Sequence, residues 1–405
     1  MPTADNSQTA KIRHLANKNI TAYKLLNPTS QFSDQSTFIR NIEGRLRYVS
    51  QTGTSRTVDE SINNLNNEIL GISSATPPTP AWVKYTGTDF NDYTSMRSLA
   101  YGSGTWFAIV YDKVDPEAQF ILTSSNPASS WALNALTNAT PANLMFINAA
   151  YGDGLWCILY SIHSTTDTIG VNISSNGGVN WTTHTVSENG VTIKKIYYAN
   201  STWVIIGESN EIYVATDPSG TWDSVIPNST DEENASAYSD IYYGDGTWCL
   251  IGKNGMSSIL LTASDPADSW VLSSVDFNVV GEGFSLETTQ TIHYGDGTWV
   301  QTVGYDIFTT TDPVGEWDRN TQSLFLSALS YGNSLWVSPT GANEIYKTTV
   351  PSGTWVKDTS TALIPAGEND FLYLVAYGNN TFVAAGLYIL PNTQDERIQL
   401  FTYVT

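Results

Sequence analysis

A short motif recurs along most of this chain and constrains its fold more than any other feature. Tyr243–Trp248 reads Tyr-Gly-Asp-Gly-Thr-Trp, and Tyr294–Trp299 repeats it. Weaker copies begin at Tyr101, Tyr151, Tyr198, Tyr331 and Tyr377. Successive copies of the seven start between 37 and 51 residues apart, as the differences of these start numbers show. Self-similarity at this period is typical of solenoids, propellers and arrays.

Each copy of this first motif predicts a β-hairpin. Apolar alternation leads into the tyrosine, the Gly-Asp-Gly segment supplies the positive φ of a tight turn, and the tryptophan opens the next strand. The aspartates Asp153, Asp245 and Asp296 have Ser or Asn at the equivalent positions of other copies. Because a turn favours those residue types, we interpret these carboxylates as structural rather than as a metal site.

A second motif follows later in each repeat. It reads Thr-Asp-Pro-Ser-Gly-Thr-Trp at Thr216–Trp222, and related segments are Ser264–Trp270 and Thr311–Trp317. Further relatives end at Trp131, Trp181 and Trp355. The box side chains Asn126, Asn176, Asp217, Asp265 and Asp312 are expected to accept hydrogen bonds from turn N–H groups. Most of the 13 tryptophans fall inside the two motifs, which indicates a role in packing.

The second repeat carries this motif as Ser174–Trp181, Ser-Ser-Asn-Gly-Gly-Val-Asn-Trp. It resembles the Asp-box of sialidase-type propellers, Ser-x-Asp-x-Gly-x-x-Trp, with Asn in place of Asp. In that family the box is the turn between the third and fourth strands of a blade. The resemblance is to a degenerate box, and it covers roughly residues 76–405.

Seven repeats of about 47 residues match four-stranded blades, so the sequence predicts an all-β, seven-bladed β-propeller over 76–405. The last repeat contains only three strands before Thr405. A segment beginning near Trp82 resembles the end of the second motif, with no first motif before it. We therefore expect the N-terminal strand to supply the fourth strand of the last blade and close the ring, which removes exposed sheet edges.

Residues 1–75 lie outside the repeat and are predicted to form a partly helical, extended N-terminal arm. Thr57–Leu70 is the clearest helix, with capping-box spacing at its start and Gly71 as a C-cap. We predict that the arm binds a protein partner, although packing on the propeller as decoration is the alternative. The candidate partner-binding residues are Arg40, Arg45, Arg47, Ile62, Leu65 and Ile69.

The net charge of −21 combines +2 in residues 1–75 with −23 in the repeat region. Residues 1–75 hold eight basic and six acidic residues, which leaves ten and 33 for residues 76–405. An acidic body argues against nucleic acid and against anionic membranes as partners, since both need a basic face. The first ten residues lack the apolar stretch of a signal peptide, and no run is long enough to span a bilayer.

Other candidate chemistry is sparse, and we expect neither a cofactor nor a metal. Cys157 and Cys249 occupy equivalent positions in non-adjacent repeats, so they should be buried and unbonded. The acidic loop segment Asp231–Glu233 could bind a cation, but it lacks the ligand spacing of a calcium loop. The sequence also lacks Gly-x-Ser-x-Gly, P-loop and Cys-x-x-Cys motifs.

Sialidase activity is the enzymatic function that an Asp-box resemblance implies. That family requires three arginines to clamp the substrate carboxylate, together with a tyrosine nucleophile and its glutamate partner. The repeat region contains only Arg97, Arg319 and Arg397, and no Arg-Ile-Pro sequence occurs. We therefore predict a non-enzymatic protein, while a pair of carboxylates for cleaving glycans stays open.

A polar arm followed by a Ser/Thr/Asn-rich acidic propeller resembles the layout of virion proteins of tailed bacteriophages. This resemblance implies a structural or adaptor protein of the tail, neck or capsid, assembled in the host cytoplasm. Its arm would bind other virion proteins, and it would be present in many copies by particle symmetry. The alternatives are a lectin-like propeller that binds host surface glycan and a glycoside hydrolase of sialidase-like fold. The loop candidates for a ligand are Asp231, Glu232, Glu233, Phe277 and Phe284, the two phenylalanines by stacking on sugar.

Overall fold

The structure is a computed structural model, and it describes most of residues 81–405. The residues left out of this range are 116–117, 135–143, 163–167, 189–191, 228–236, 255–256, 274–276, 278–289, 323, 341–343, 360–370 and 390–395. The predicted arm therefore lies outside the described residues, and the predictions about it stay untested. All of the internal gaps fall in connections between the second and third strands of a blade or between blades.

The described residues form seven four-stranded antiparallel sheets, each with its strands in a simple up-and-down order. Blade 1 comprises β2 (Tyr93–Gly102), β3 (Thr105–Asp112), β4 (Gln119–Asn126) and β5 (Ser130–Asn134). Blade 2 comprises β6 (Leu144–Gly152), β7 (Leu155–Ile162), β8 (Thr168–Ser174) and β9 (Thr182–Ser187). Blade 3 comprises β10 (Ile193–Ala199), β11 (Thr202–Gly207), β12 (Ile212–Ala215) and β13 (Asp223–Val225). Each blade therefore corresponds to one sequence repeat.

The remaining blades follow the same order. Blade 4 comprises β14 (Ala237–Gly244), β15 (Thr247–Asn254), β16 (Ser257–Ala263) and β17 (Val271–Leu272). Blade 5 comprises β18 (Thr291–Gly295), β19 (Thr298–Val303), β20 (Asp306–Thr310) and β21 (Asp318–Thr321). Blade 6 comprises β22 (Ser330–Gly332), β23 (Leu335–Thr340), β24 (Glu344–Thr348) and β25 (Val356–Lys357). Blade 7 comprises β26 (Phe371–Gly378), β27 (Thr381–Ile389), β28 (Glu396–Val404) and β1 (Val83–Lys84).

The blades form a closed ring with their first strands innermost. First strands of consecutive blades contact each other in a cycle that runs through β2, β6, β10, β14, β18, β22 and β26 and returns to β2. The seven-bladed, all-β architecture predicted from the repeats is thereby confirmed. In the described part of the chain, no helix has the length and apolar character needed to cross a bilayer.

The N-terminal strand closes the ring as predicted. Val83 pairs with Thr402 and Lys84 with Phe401, and the Tyr85 amide donates to the Leu400 carbonyl at 2.8 Å. Trp82, which is 2% exposed, packs its ring against Tyr403 with centroids 5.3 Å apart. The short ladder is therefore reinforced by a buried indole that fixes its position.

The first motif forms a two-residue hairpin in every blade. In blade 4, Gly244 pairs with Thr247, which leaves Asp245 and Gly246 as the turn residues at φ values of 46° and 78°. Two consecutive positive φ values indicate a type I′ turn, which matches the twist of the flanking strands. The positive φ thus falls on the second and third residues of Gly-Asp-Gly, and the first glycine serves a different purpose.

The second motif forms the turn between the third and fourth strands. All five box side chains accept a backbone N–H of their turn as predicted; Asp217, for example, accepts from Ser219 at 2.9 Å. The tryptophan closes this turn through its indole, since Trp222 Nε1 donates to the Pro218 carbonyl at 3.1 Å. Equivalent indole bonds occur at Trp131, Trp181, Trp270, Trp317 and Trp355.

The core consists of apolar clusters that span adjacent blades. All 13 tryptophans are buried, with 9% exposure or less, which confirms their predicted packing role. Cys157 and Cys249 are buried and unbonded, also as predicted, and burial raises the pKa of both thiols. Because every blade shares its core with its neighbours, ring closure and blade stability depend on each other.

Candidate functional site: the axial cluster

A tyrosine and a glycine interlock neighbouring blades at the inner end of the first motif. The Tyr294 ring covers Gly244 of the preceding blade so closely that a Cβ on that glycine would lie 2.2 Å from Tyr294 Cγ. The same ring packs on Trp299 of its own blade, with centroids 5.0 Å apart. Glycine is therefore required here for close approach rather than for a positive φ.

This interlock repeats around the ring. The other glycine–tyrosine pairs are Gly102–Tyr151, Gly152–Tyr198, Gly295–Tyr331, Gly332–Tyr377 and Gly378–Tyr101. The last pair joins blade 7 to blade 1. In blade 3 the glycine position is taken by Ala199, which packs in the same apolar cluster as Tyr243. The recurring Tyr-Gly pair is thus the device that joins successive blades near the axis.

The position immediately before each motif tyrosine makes the axis asymmetric. From blade 1 to blade 7 it is occupied by Ala100, Ala150, Tyr197, Tyr242, His293, Ser330 and Ala376. The three rings of blades 3 to 5 contact one another in sequence. Tyr197 and Tyr242 have centroids 5.3 Å apart, and Tyr242 and His293 have centroids 4.1 Å apart. One side of the inner wall is therefore aromatic, whereas the other side has small residues.

Polar side chains two positions earlier bond across the same blades. The Asp240 carboxylate accepts from Lys195 Nζ of blade 3 and from the Thr291 hydroxyl and Ile292 amide of blade 5, the latter two at 2.8 and 3.0 Å. Lys195 also donates to the Ile241 carbonyl and lies over the Tyr197 ring at 5.2 Å. We name Lys195, Tyr197, Asp240, Tyr242, Thr291 and His293 the axial cluster.

β-Bulges in the first strands help to orient the side chains that make these hydrogen bonds. The pairing of β14 with β15 shifts between Tyr238 and Asp240, and comparable shifts occur in β2, β6, β10 and β26. A bulge redirects a side chain and disrupts the local ladder. At three other junctions, too, a side chain accepts an N–H from the next blade: Ser98 from Ala149, Asn148 from Ile196 and Tyr373 from Met96.

The electrostatics of the axial cluster keep its aromatic groups neutral. Burial lowers the pKa of His293 to about 4, with the Lys195 charge adding to the effect, although the residue is not completely removed from solvent. Burial also raises the pKa of Tyr197 and Tyr242 above the usual range. Because the Tyr294 carbonyl can only accept, the proton of neutral His293 lies on Nδ1, 3.0 Å away.

The chemistry available in this cluster is binding and support. The Lys195 ammonium and the Asp240 carboxylate are committed to each other and to their neighbours. Among the described residues, no group of three His, Cys, Asp or Glu side chains is positioned to hold a metal ion. The arginines occupy three different blades: Arg97 donates to the Tyr111 hydroxyl at 2.5 Å, Arg319 pairs with Asp306 at 2.7 Å, and Arg397 lies on β28.

The predicted exposure of one ligand candidate, Phe277, is wrong. Phe277 was expected to be an exposed aromatic that stacks on sugar, but it is 0% exposed. Its ring packs edge-on against Phe308 and Trp317 of blade 5, with centroids 5.0 and 5.6 Å away. The connection after blade 4 therefore inserts this ring into the core between blades, which a position in a long, polar connection did not reveal.

The other predicted site residues lie outside the described part of the chain. They are Arg40, Arg45, Arg47, Ile62, Leu65 and Ile69 in the arm, and Asp231, Glu232, Glu233 and Phe284 in the connections. The axial cluster itself was missed from the sequence. The available signal was the residue before each motif tyrosine, which changes from small to aromatic only in three consecutive repeats.

Comparisons with known proteins identify the fold and no family. Neither a protein-family profile nor a curated protein sequence matches the chain. Solved structures do match: YCF48 from Cyanidioschyzon merolae has a TM-score of 0.56 and 12% identity, covering 79% of this chain and 98% of that one. YCF48 bound to D1 peptide has the same score and identity, covering 82% and 99%. A chain of the Mitotic Checkpoint Complex has a TM-score of 0.53 and 10% identity, covering 82% and 95%.

Proposed function

We propose that this chain is a non-enzymatic structural or adaptor protein of a tailed-bacteriophage particle. Its N-terminal arm anchors it to other virion proteins, and the propeller is displayed outward. The proposal rests on two resemblances. The layout of the sequence resembles that of such virion proteins, and the repeats resemble those of Asp-box propellers with a degenerate box. The propeller acts as a rigid body that presents its surface to a partner.

The proposal is carried by one observation: the repeated polar residues form turns and hold blades together. The carboxylates most easily mistaken for catalytic groups are parts of turns: Asp245 has positive φ, and Asp217 accepts a turn N–H. In the axial cluster, Asp240 is bonded on both oxygens by Lys195, Thr291 and two backbone amides. The hydrogen bonds of Asp217 and Asp240 hold a turn and a blade junction, which supports a structural use of these two carboxylates rather than a role as general acid or base.

The closing strand is held firmly in the propeller. Ala81, the first described residue, is followed by Trp82, which is buried. Val83 and Lys84 then pair with β28 of blade 7. A load applied at this strand would be transmitted into the sheet through backbone hydrogen bonds and a buried indole, which supports an anchoring role for the segment that precedes it in the sequence.

Two of the similar structures are consistent with binding to protein partners. One is YCF48 bound to D1 peptide, and another belongs to the Mitotic Checkpoint Complex. They share the fold at identities of 12% and 10%, so they support a protein-binding propeller in general terms. The phage context rests on the layout of the sequence alone. The correction at Phe277 removes one residue that favoured the glycan-binding alternative.

The test compares the full chain with a variant that lacks residues 1–75 but retains the closing strand. Both are expressed during phage production, and incorporation into purified particles is measured by quantitative mass spectrometry. We expect the truncated propeller to fold, with the same thermal unfolding temperature as the propeller in the full chain, and to be absent from particles. Incorporation equal to that of the full chain would refute the anchoring role of the arm.

Point variants refine the same experiment. Ile62→Ser, Leu65→Ser and Ile69→Ser together remove the apolar stripe of the arm, and Arg40→Ala, Arg45→Ala and Arg47→Ala remove its basic group. We expect each set to reduce incorporation at least tenfold without changing the thermal unfolding of the propeller. As a matched control, Asn63→Ser with Asn67→Ser changes polar positions of the same predicted helix and should have a smaller effect. Binding of the isolated propeller to host surface glycan, on an array, would instead favour the lectin alternative.

A further inference from the structure

His293 joins three blades at the axis. Its ring lies on Tyr242 of blade 4, with centroids 4.1 Å apart and planes 32° from parallel. On its other side it meets Trp336 of blade 6 edge-on, with centroids 5.6 Å apart. Of the seven residues at this position of the repeat, only the imidazole of blade 5 ordinarily titrates between pH 5 and 8.

The charged and titratable neighbours of His293 come from two strands. Strand β10 contributes Lys195, and β14 contributes Asp240 and Tyr242. Tyr197 of β10 lies one ring further along, against Tyr242. The contact from blade 6, Trp336, carries no charge. Asp240 already pairs with Lys195 and accepts from blade 5, so it has little capacity left to balance a second cation. An imidazolium here would therefore lie near an ammonium and be removed from most of its solvent.

We propose that His293 makes the junction of blades 4, 5 and 6 an acid-sensitive seam. Protonation of the imidazole places positive charge between Tyr242 and Trp336 and beside Lys195. The stack then loosens, and the first strands β14, β18 and β22 separate locally while the other blades keep their contacts. Acidification thereby opens one sector of the ring in a defined place.

The direction of the titration supports this mechanism. The pKa of His293 in the folded protein is lowered to about 4 by burial and by Lys195, whereas in the unfolded chain it has the ordinary value near 6.5. The unfolded or opened state therefore binds more protons between these values, so stability is lost as the pH falls from about 6.5 to about 4. Between pH 7 and pH 4 this difference in pKa corresponds to roughly a 100-fold change in the opening equilibrium.

The first experiment measures hydrogen exchange of the wild type and of His293→Phe at pH 7 and pH 4, corrected for intrinsic exchange rates. In the wild type we expect the protection of peptides from β14, β18 and β22–β23 to fall by roughly 100-fold more than that of peptides from β2 and β6. His293→Phe keeps an aromatic ring without the titration and should show no such excess. Equal loss in all blades, or the same loss in the variant, would overturn the proposal.

Two further measurements keep the inference testable if that variant does not fold. His293→Gln provides a second neutral side chain, which should also remove the excess loss at pH 4. His184→Phe is the matched control, because His184 lies on outer strand β9 and contacts the Gly220 carbonyl at 2.7 Å; it should leave the response of blades 4 to 6 unchanged. In the wild type, the NMR titration of the His293 ring should have its midpoint near pH 4, and a midpoint near 6.5 would contradict the seam.

Discussion

The ring of Tyr101 covers Gly378 so closely that a Cβ on this glycine would lie 2.1 Å from Tyr101 Cγ. This contact joins the first blade to the last. Tyr101 also packs on Trp106 of its own blade, with centroids 5.0 Å apart. The same pair of residue types thus forms both the repeating junction and the point of closure. Ring integrity therefore depends on residues that look like simple turn residues in the sequence.

Replacing Gly244 by alanine should destabilise the ring. The added methyl group would overlap the Tyr294 ring, and Trp299, which packs on that ring, leaves it little freedom to move. Overpacking of this kind typically costs about 1–3 kcal/mol, measured as the free energy of unfolding in urea. Ala199→Gly is the matched control, because blade 3 tolerates alanine at that position, and it should change stability by less than Gly244→Ala does.

Removal of the closing indole should weaken the whole ring. Trp82→Ala deletes a buried side chain that packs on Tyr403, and a large-to-small change of this kind costs about 3–5 kcal/mol. Thermal unfolding should occur at a lower temperature, with hydrogen exchange of β28 increasing first. Val83→Ala, at the adjacent position that is 59% exposed, should have little effect. Comparable losses in the two variants would show that the indole does not secure the closure.

A buried amide in blade 5 offers a stabilising substitution. Gln301 is 0% exposed, and neither its amide nitrogen nor its oxygen has a hydrogen-bond partner among the described residues. Leaving such groups unsatisfied costs about 1–3 kcal/mol, so Gln301→Met should raise the free energy of unfolding by a similar amount. Gln290→Met is the control and should lower it, since Gln290 accepts from Ser258 at 3.0 Å. A less stable Gln301→Met variant would refute this account.

The turn of blade 3 should be improved by glycine. Ser201 has a φ of 59°, whereas four other blades have glycine at the equivalent turn position, as at Gly246. Glycine adopts positive φ without strain, so Ser201→Gly should stabilise the hairpin by about 0.5–1 kcal/mol. The reciprocal change Gly246→Ser should destabilise by a similar amount. Chemical denaturation of both variants provides the measurement, and opposite signs are the required result.

Much of the architecture could be predicted because each blade is a local unit. The hairpin from Tyr243 to Trp248 and the turn from Asp217 to Trp222 contain within a few residues the bonds that define them. Their spacing therefore gave the number of blades, and the incomplete first repeat near Trp82 gave the closure. By contrast, the exposure of Phe277 was predicted wrongly, because its burial depends on Phe308 and Trp317 in the next blade.

Short-range turn geometry and the repeat period are local properties of the chain, so they specify seven blades, their order of strands and the partner of the closing strand. That Lys195, Asp240 and His293 share one site became apparent only from the packing of the blades. These residues lie in three successive blades, about one repeat apart, and a bulge in β14 helps to place Asp240. Contacts between repeats depend on how sheets pack around an axis, and no local pattern encodes that packing.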